Sequence, residues 1–261
     1  MLEKGRSGNL QIIGRAGVGL DNIDLAAAED LGIIVVTSGA ASARSVAEHA
    51  LALAFAVARD IPRLDSEVRD GKWERRYGME LFGKTWGVVG LGRTGRATAE
   101  LARGCGMAAL AHDPYIVADD PEIRALGLSL MSLDDLLAAA DIISVHLPLG
   151  PSTVNLFDRQ RLSAMRPGSL LINVARGEII DEEALADALE SGALGGAGLD
   201  VRADEPPICG RLESSPHCVL TPHVAGLTIA AQERIVSTIA NDIERVMSGT
   251  NAFHAVTSQP D

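Results

Sequence analysis

"TWGVVGLGRTGRATAELA", residues 85–102, decides the fold. In it, Gly90, Gly92 and Gly95 form a G-x-G-x-x-G pattern that follows a β-rich apolar run and opens an Ala-rich segment of helical period. Glycines allow a tight turn and a close backbone approach to a pyrophosphate, which the helix N-terminus attracts. The pattern therefore predicts a dinucleotide-binding strand, turn and helix.

The next apolar run supports this interpretation. "MAALAH" (107–112) leads into Asp113, 18 residues past Gly95. A carboxylate at the end of this second strand hydrogen-bonds the adenosine ribose hydroxyls and repels a 2'-phosphate, so it favours NAD over NADP. The plainer alternative is a glycine-rich turn followed by a turn-forming Asp-Pro.

Short β-rich runs alternate with helical segments along the whole chain. This alternation is typical of an α/β fold with a parallel sheet and crossover helices, here a Rossmann-type doubly wound sheet. The predicted strands lie at 10–14, 33–36, 85–90, 107–112, 141–147, 169–175, 196–201 and 218–222. The predicted helices lie at about 42–59, 93–104, 132–140, 181–191 and 228–248.

A polar stretch at 59–80 separates two such series and indicates a hinge or interface segment. The predicted domains are therefore 84–224 for the cofactor, 61–83 for the hinge, and 1–60 with 225–261 for a second α/β domain. Four of the chain's eight aromatic residues fall in or beside this hinge, and such clustering predicts an interface, with burial inside the chain's own hinge as the alternative. They are Trp73, Tyr77, Phe82 and Trp86.

Composition limits the function classes. The chain has 261 residues, 47% of them hydrophobic, and a net charge of −12, which argues against nucleic acid or anionic membrane as a partner. The start "MLEKGRSGNL" lacks a signal-peptide core, and the apolar run 50–58 is too short to span a bilayer. Three cysteines without a C-x-x-C pair predict neither disulfides nor a metal site, and a reducing cytoplasm is expected.

Three chemically active side chains follow three separate predicted strands. Arg176 follows one strand in "LLINVARG", Glu205 follows the next in "LDVRADEPP", and His223 follows the last in "LTPH". In an open α/β sheet, ligands bind beyond the carboxyl ends of the strands. Arg offers a fork for a substrate carboxylate, His can exchange a proton with an alcohol, and Glu can orient that His. Together they predict an active site, although each alone is more often structural.

The chain resembles the D-isomer-specific 2-hydroxyacid dehydrogenases, most closely the D-3-phosphoglycerate dehydrogenases. Successive motifs carry the likeness over nearly the whole chain: "GRAGVGLDNIDLAAAEDLGIIVV", "GKWERRYGMELFGKTWGVVGLGRTG", "VHLPLGPSTVNLF", "LLINVARGEIIDEEAL", "GLDVRADEPP" and "VLTPHVAG". The resemblance implies an NAD-dependent oxidoreductase with a Rossmann-type domain and a flavodoxin-like α/β substrate domain. It also implies a cytoplasmic homodimer acting on a small 2-hydroxy or 2-keto acid.

The resemblance further implies a role for each site residue. His223 would be the acid/base, Glu205 its partner and Arg176 the carboxylate clamp. The loop of Arg15, Ala16 and Gly17 would face the substrate from the other domain. The cofactor-binding residues implied are Gly90, Gly92, Arg93, Thr94, Gly95, Asp113, Val174, Ala175, Arg176, Asp200, His223 and Gly226.

Relative to the family, the sequence begins partway through the substrate domain, so that domain is expected to be partial. Cofactor binding is then expected to outlast efficient catalysis. Two other functions fit the same sequence. One is reduction of glyoxylate or hydroxypyruvate, and the other is an NAD(H)-sensing corepressor, a binding protein on the same fold.

Overall fold

The computed structural model describes residues 9–17, 19–20, 22–117 and 120–259, apart from the side chain of Glu122. The start of the chain, where the sequence predicts no signal peptide, includes residues 1–8, which lie outside the described residues. The chain divides into two compact units, a larger one of residues 46–225 and a smaller one of 1–45 with 226–261.

The strands and helices of the described residues alternate along the chain. The strands are β1 (Ile12–Arg15), β2 (Ile34–Thr37), β3 (Thr85–Val89), β4 (Ala108–His112), β5 (Ser129–Leu130), β6 (Ile142–Val145), β7 (Leu170–Asn173), β8 (Gly196–Leu199) and β9 (Cys218–Leu220). The helices are α1 (Leu25–Asp30), α2 (Ala43–Ala58), α3 (Ile61–Arg69), α4 (Arg93–Gly104), α5 (Pro121–Ala125), α6 (Leu133–Ala139), α7 (Arg159–Ala164), α8 (Glu182–Glu190), α9 (Arg211–Ser214) and α10 (Ile229–Met247).

The larger unit contains a parallel sheet of seven strands in the order β5-β4-β3-β6-β7-β8-β9. The order runs outward in both directions from the β3–β6 pair, which is the point where a doubly wound sheet opens a crevice for a ligand. The predicted Rossmann-type sheet is therefore confirmed, and all its C-terminal strand ends lie along one edge.

Both faces of this sheet are buried, which explains why its strands are continuous apolar runs. Val89, Ile143 and Val145 pack on one face, with α6 and α8. Trp86 and Val88 pack on the other. The sequence predicts Trp86 in an interface, but it is fully buried in the core of the larger unit, where a 2.7 Å hydrogen bond from its Nε1–H to Ser144 Oγ satisfies the indole.

Glycines in β8 allow α2 to lie directly on the sheet. A Cβ at Gly198 would lie 2.9 Å from Leu53 Cβ, and one at Gly196 would collide with Val57. This packing is the physical reason that the larger unit begins at residue 46, earlier than the boundary at 60 that the sequence predicts. The predicted domain limits remain predictions.

In the smaller unit, β1 and β2 pair in parallel. Helix α10 packs so closely on β1 that a Cβ at Gly14 would collide with Ile239. The buried carboxylate of Asp242 accepts from the backbone N–H of Phe253 at 2.8 Å and from that of His254 at 3.1 Å. These bonds hold the backbone of Phe253 and His254 against α10.

All the predicted strands and helices are present, most of them shorter than predicted, and several short elements were not predicted. Strand β5 has two residues, while α1, α5, α7 and α9 have four to six, too few for a hydrophobic period to be visible. Helix α3, inside the predicted hinge, buries none of its described residues. No helix among the described residues is long and apolar enough to cross a membrane.

Candidate active site

The glycine loop after β3 has the shape that the sequence predicts. Gly90 has φ +96°, a left-handed value that favours glycine. A Cβ at Gly95 would collide with the carbonyl oxygen of Gly90, whereas no other described residue comes within 4 Å of a Cβ at Gly92. Within the described part of the chain, no side chain caps α4 at Gly92. This open cradle at a helix N-terminus fits a dinucleotide pyrophosphate.

Asp113 lies at the end of β4, beside that loop. Its Oδ2 accepts a 2.8 Å hydrogen bond from the backbone N–H of Leu91, and its Oδ1 accepts a 2.9 Å bond from that of Tyr115. A carboxylate has about four lone-pair sites, so it can still accept from ribose hydroxyls. The structure thus fixes the direction of the carboxylate relative to the glycine loop.

A buried polar chain runs beneath the glycine loop, and sequence reasoning missed it. His146 follows β6 with its Nε2 3.0 Å from Ser144 Oγ, the atom that also accepts from Trp86. Burial lowers the pKa of His146 from 6.5 to about 3. His146 is therefore neutral at physiological pH, and no described atom hydrogen-bonds its buried Nδ1.

His146 makes the fold sensitive to acid. Its pKa is about 3 in the folded protein and about 6.5 when unfolded, so the stability it supports is complete above about pH 6.5 and is lost as the pH falls toward 3. Between pH 8 and pH 5 we expect the parent to lose about 2 kcal/mol more unfolding free energy than His146→Gln. Urea unfolding at both pH values measures this, with exposed His217→Gln as the control. Equal losses in parent and His146→Gln would contradict the assignment.

The Arg176 loop is shaped by the buried amide of Asn173, the last residue of β7. Asn173 Nδ2 donates to the carbonyl of Arg176 at 2.8 Å, and its Oδ1 accepts from the Ala175 N–H at 3.0 Å. A Cβ at Gly177 would collide with the backbone of Arg202 and Ala203. The loop after β8 therefore lies directly against the loop that carries Arg176. The sequence does contain a sign of this role, because Asn173 is the polar residue that ends the apolar run "LLIN".

Two of the three predicted catalytic side chains are in contact. His223 Nδ1 lies 2.8 Å from Glu205 Oε2, and both side chains are solvent-accessible, at 50% and 39% exposure. Glu205 Oε1 accepts a 3.1 Å bond from the Arg202 N–H, which fixes the carboxylate. Since Glu205 occupies Nδ1, the other ring nitrogen, Nε2, is available to exchange a proton with a substrate.

The backbone at His223 adopts a left-handed conformation, with φ +55°. Such a conformation costs a residue other than glycine about 1–3 kcal/mol, so the surrounding structure must hold it. Asp200 does so. Its carbonyl accepts from the His223 N–H at 2.7 Å, and its carboxylate accepts from those of Val224 at 2.9 Å and Ala225 at 2.8 Å.

Asp200 is buried and ionised. Burial opposes its ionisation, but the His49 ring, 3.4 Å from Oδ1, and hydrogen bonds from Thr221 and the Val224 and Ala225 backbone outweigh burial and hold its pKa below the usual range. The family resemblance implies that Asp200 binds the cofactor, at the nicotinamide carboxamide, and that role remains a prediction. The structure adds a second role, because Asp200 also clamps the turn that carries His223.

The remaining predicted residues lie at two places. Val174 and Ala175 lead from β7 into Arg176. Arg15, Ala16, Gly17 and Gly226 belong to the smaller unit, where Arg15 Nε donates to the Gly19 carbonyl at 3.0 Å and its Nη1 to that of Ala16 at 3.2 Å. The roles assigned to these residues stay predictions.

Known proteins resemble the chain in sequence and in structure. D-3-phosphoglycerate dehydrogenase of Mycobacterium tuberculosis (strain ATCC 25618 / H37Rv) is 45% identical over 242 residues, 92% of this chain and 46% of that protein. The chain thus spans about half the length of the curated relatives it matches.

Solved structures match over most of both chains. A glyoxylate reductase from Paecilomyes thermophila is 31% identical with a TM-score of 0.90, covering 97% of this chain and 78% of that one. D-lactate dehydrogenase with NAD+ from Lactobacillus jensenii is 29% identical with a TM-score of 0.85, covering 98% and 82%.

The family model of the D-isomer specific 2-hydroxyacid dehydrogenase NAD binding domain matches residues 51–225. This range contains the glycine loop, Asp113 and the His223–Glu205 pair. The resemblance stated from the motifs is confirmed, as is NAD as the cofactor of this domain. The chain belongs to the D-isomer specific 2-hydroxyacid dehydrogenase family.

Proposed function

We propose that this chain catalyses reversible hydride transfer between C2 of a D-2-hydroxyacid and NAD, with 3-phosphoglycerate as the first substrate to test. The observation that carries the proposal is the 2.8 Å pair of His223 and Glu205, which follows the strands of an NAD binding domain at their carboxyl ends. NAD, when bound, supplies the hydride acceptor at its nicotinamide C4. The protein supplies orientation and proton transfer.

His223 acts as the general acid/base in this mechanism. During oxidation its Nε2 takes the proton of the substrate hydroxyl as C2 gives up a hydride, and during reduction it returns the proton to the carbonyl oxygen. Glu205 accepts from Nδ1, which fixes the ring orientation and supports the imidazolium that forms. The turn held by Asp200 sets the position of the ring.

Arg176 binds the substrate carboxylate. It follows β7, the neighbour of β8 in the sheet, and a guanidinium can engage a carboxylate through two parallel hydrogen bonds. The clamp fixes the side of C2 that faces the cofactor. The neighbouring Gly177, which the backbone of Arg202 touches, keeps the Arg176 and Glu205 loops close together.

The pyrophosphate of NAD would be held by the glycine loop and the first turn of α4, at Gly90, Gly92, Arg93, Thr94 and Gly95. The adenosine ribose would be held by Asp113. We therefore expect the chain to bind NADH more tightly than NADPH, because a 2'-phosphate would face the Asp113 carboxylate. Asp113→Asn should narrow that preference, and exposed Asp134→Asn on α6 is the charge-matched control. Fluorescence titration with both nucleotides measures it. Equal or tighter binding of NADPH by the parent would contradict the assignment.

A substrate panel tests the function. NADH consumption is followed with 3-phosphohydroxypyruvate, hydroxypyruvate, glyoxylate and pyruvate. The phosphorylated acid is expected to react with the highest kcat/KM, because curated relatives named D-3-phosphoglycerate dehydrogenase match 92–96% of this chain at 41–45% identity. Faster reaction of glyoxylate would favour the alternative supported by the glyoxylate reductase structure. No turnover, with NADH-dependent capture of peptide partners, would favour the corepressor.

We infer that the chain forms a homodimer through the segment 72–82. Trp73 and Tyr77 project into solvent there, at 79% and 107% exposure, and exposed aromatic clusters are typical of interfaces. Light scattering at micromolar concentration should give a dimer for the parent and a monomer for Trp73→Glu with Tyr77→Glu. Tyr115→Glu removes another exposed aromatic side chain and should leave the dimer intact. A monomeric parent would refute the inference.

A further inference from the structure

Helix α2 brings one polar side chain to the edge of the sheet where Asp200 lies. His49 Nε2 is 2.9 Å from Thr221 Oγ1 and 3.4 Å from Asp200 Oδ1. All three residues belong to the larger unit. The sequence places His49 in an apolar helix, "AEHALALAF", and neither the glycine loop nor the His223–Glu205 pair includes it.

The directions of these hydrogen bonds follow from the chemistry of the groups. The ionised carboxylate of Asp200 only accepts, so the single hydroxyl proton of Thr221 is donated to Asp200 Oδ1, at 2.6 Å. The Thr221 oxygen then acts as an acceptor toward His49. His49 must therefore carry a proton on Nε2, and the chain runs from His49 to Thr221 to Asp200.

This chain ends on the atoms that hold the His223 turn. Oδ1 of Asp200 accepts from both Thr221 and the Val224 N–H, while Thr221 lies two residues before His223. Without the proton from His49, the Thr221 hydroxyl would keep its bond to Asp200 but lose the second of the two hydrogen bonds that fix its rotation. The donor to the Asp200 carboxylate would then be less firmly fixed, and so would the left-handed turn at His223 that this carboxylate holds.

We propose that His49 is a positioning residue for the acid/base His223, acting through Thr221 and Asp200. This inference rests on the proposed function for its kinetic consequences, but not for its structural ones. His49 does not touch the reacting atoms. Its side chain is 23% exposed, so its removal opens a site that water can enter and should leave the fold intact.

Kinetics of His49→Ala give the first test. A catalytic group displaced by a fraction of an ångström slows the chemical step, so we expect about a tenfold lower kcat with little change in KM for NADH. The acid limb of the kcat/KM profile should move, because a shifted His223 is less well paired with Glu205. His49→Gln, whose amide N–H can replace the Nε2 donor, should recover most of the kcat. Exposed His217→Ala is the matched control.

Two measurements on the parent chain and His49→Ala do not depend on turnover. Nitrogen-15 NMR of the histidine side chains should show the Nε2–H tautomer for His49 in the parent. Backbone amide hydrogen exchange should be faster at residues 223–225 in His49→Ala and unchanged in the strands β3 and β6. Slow exchange at 223–225 in His49→Ala, together with parental kinetics, would overturn the proposal.

Thr221 variants keep the proposal testable if His49→Ala does not fold. Thr221→Val removes the hydroxyl at nearly constant volume and should reproduce the loss of kcat and the faster exchange, whereas Thr221→Ser should not. Parental exchange and kinetics in Thr221→Val would also overturn the proposal. If the parent itself shows no turnover, the proposed function fails, and the tautomer and exchange measurements still decide the role of His49.

Discussion

His223→Ala is expected to lower kcat by about 10²- to 10⁴-fold, because it removes the proposed general acid/base. The reason is that oxidation of an alcohol at C2 requires a base for its proton, and His223 Nε2 is the nitrogen left available by the 2.8 Å bond between Nδ1 and Glu205. Binding of NADH should change far less than kcat, because the residues assigned to its pyrophosphate and ribose, in the glycine loop and at Asp113, are untouched.

Steady-state kinetics and an NADH titration on the same preparation measure the two expectations for His223→Ala. His217→Ala removes an exposed histidine from the same unit and is expected to behave like the parent. If His223→Ala kept parental kcat, the proton would pass through another group, and the mechanism proposed for His223 and Glu205 would be wrong.

Arg176→Ala is expected to lower kcat/KM by roughly 10²-fold, with both a higher KM and a lower kcat. A charge-assisted bond to a carboxylate contributes about 1.5–3 kcal/mol, and the same clamp also aligns C2 for the transfer. Arg176→Lys should fall between the parent and Arg176→Ala, because an ammonium keeps the charge but lacks the two-pronged fork.

Arg159→Ala is the control for Arg176→Ala. Arg159 is an exposed arginine of α7 whose Nη2 lies 2.6 Å from Asp187 Oδ2, and it should be kinetically neutral. Initial rates over a range of 2-keto acid concentrations separate KM from kcat in each variant. An unchanged KM in Arg176→Ala would show that another residue binds the carboxylate.

The fold could be predicted from the sequence where a residue pattern is compatible with only one backbone geometry. Strand β3, the glycine turn and α4 were predictable because Gly90 and Gly95 have no tolerable substitute in that turn. The bond between Glu205 and His223 could be anticipated because parallel strands deliver their following residues to one edge. Strand β5 could not be predicted, since a strand of two residues is too short to show a hydrophobic alternation.

The polar groups that support the site could not be predicted, because their roles depend on tertiary packing. His49 reaches Thr221 only because Gly196 and Gly198 let α2 lie on β8. Asp200 was predicted as a cofactor contact, and nothing in "GLDV" indicates that its carboxylate turns toward the backbone of Val224 and Ala225. His146 was likewise hidden, since its pKa depends on burial beneath the glycine loop.

Oxidation of paired D- and L-2-hydroxyacids with NAD tests the central claim most directly. The rate of NADH formation is measured for each enantiomer of glycerate 3-phosphate and of lactate, with the parent and with His223→Ala. We predict NADH formation from the D enantiomers only, and its loss in His223→Ala. Equal rates for both enantiomers, or the same rate in His223→Ala as in the parent, would contradict this prediction.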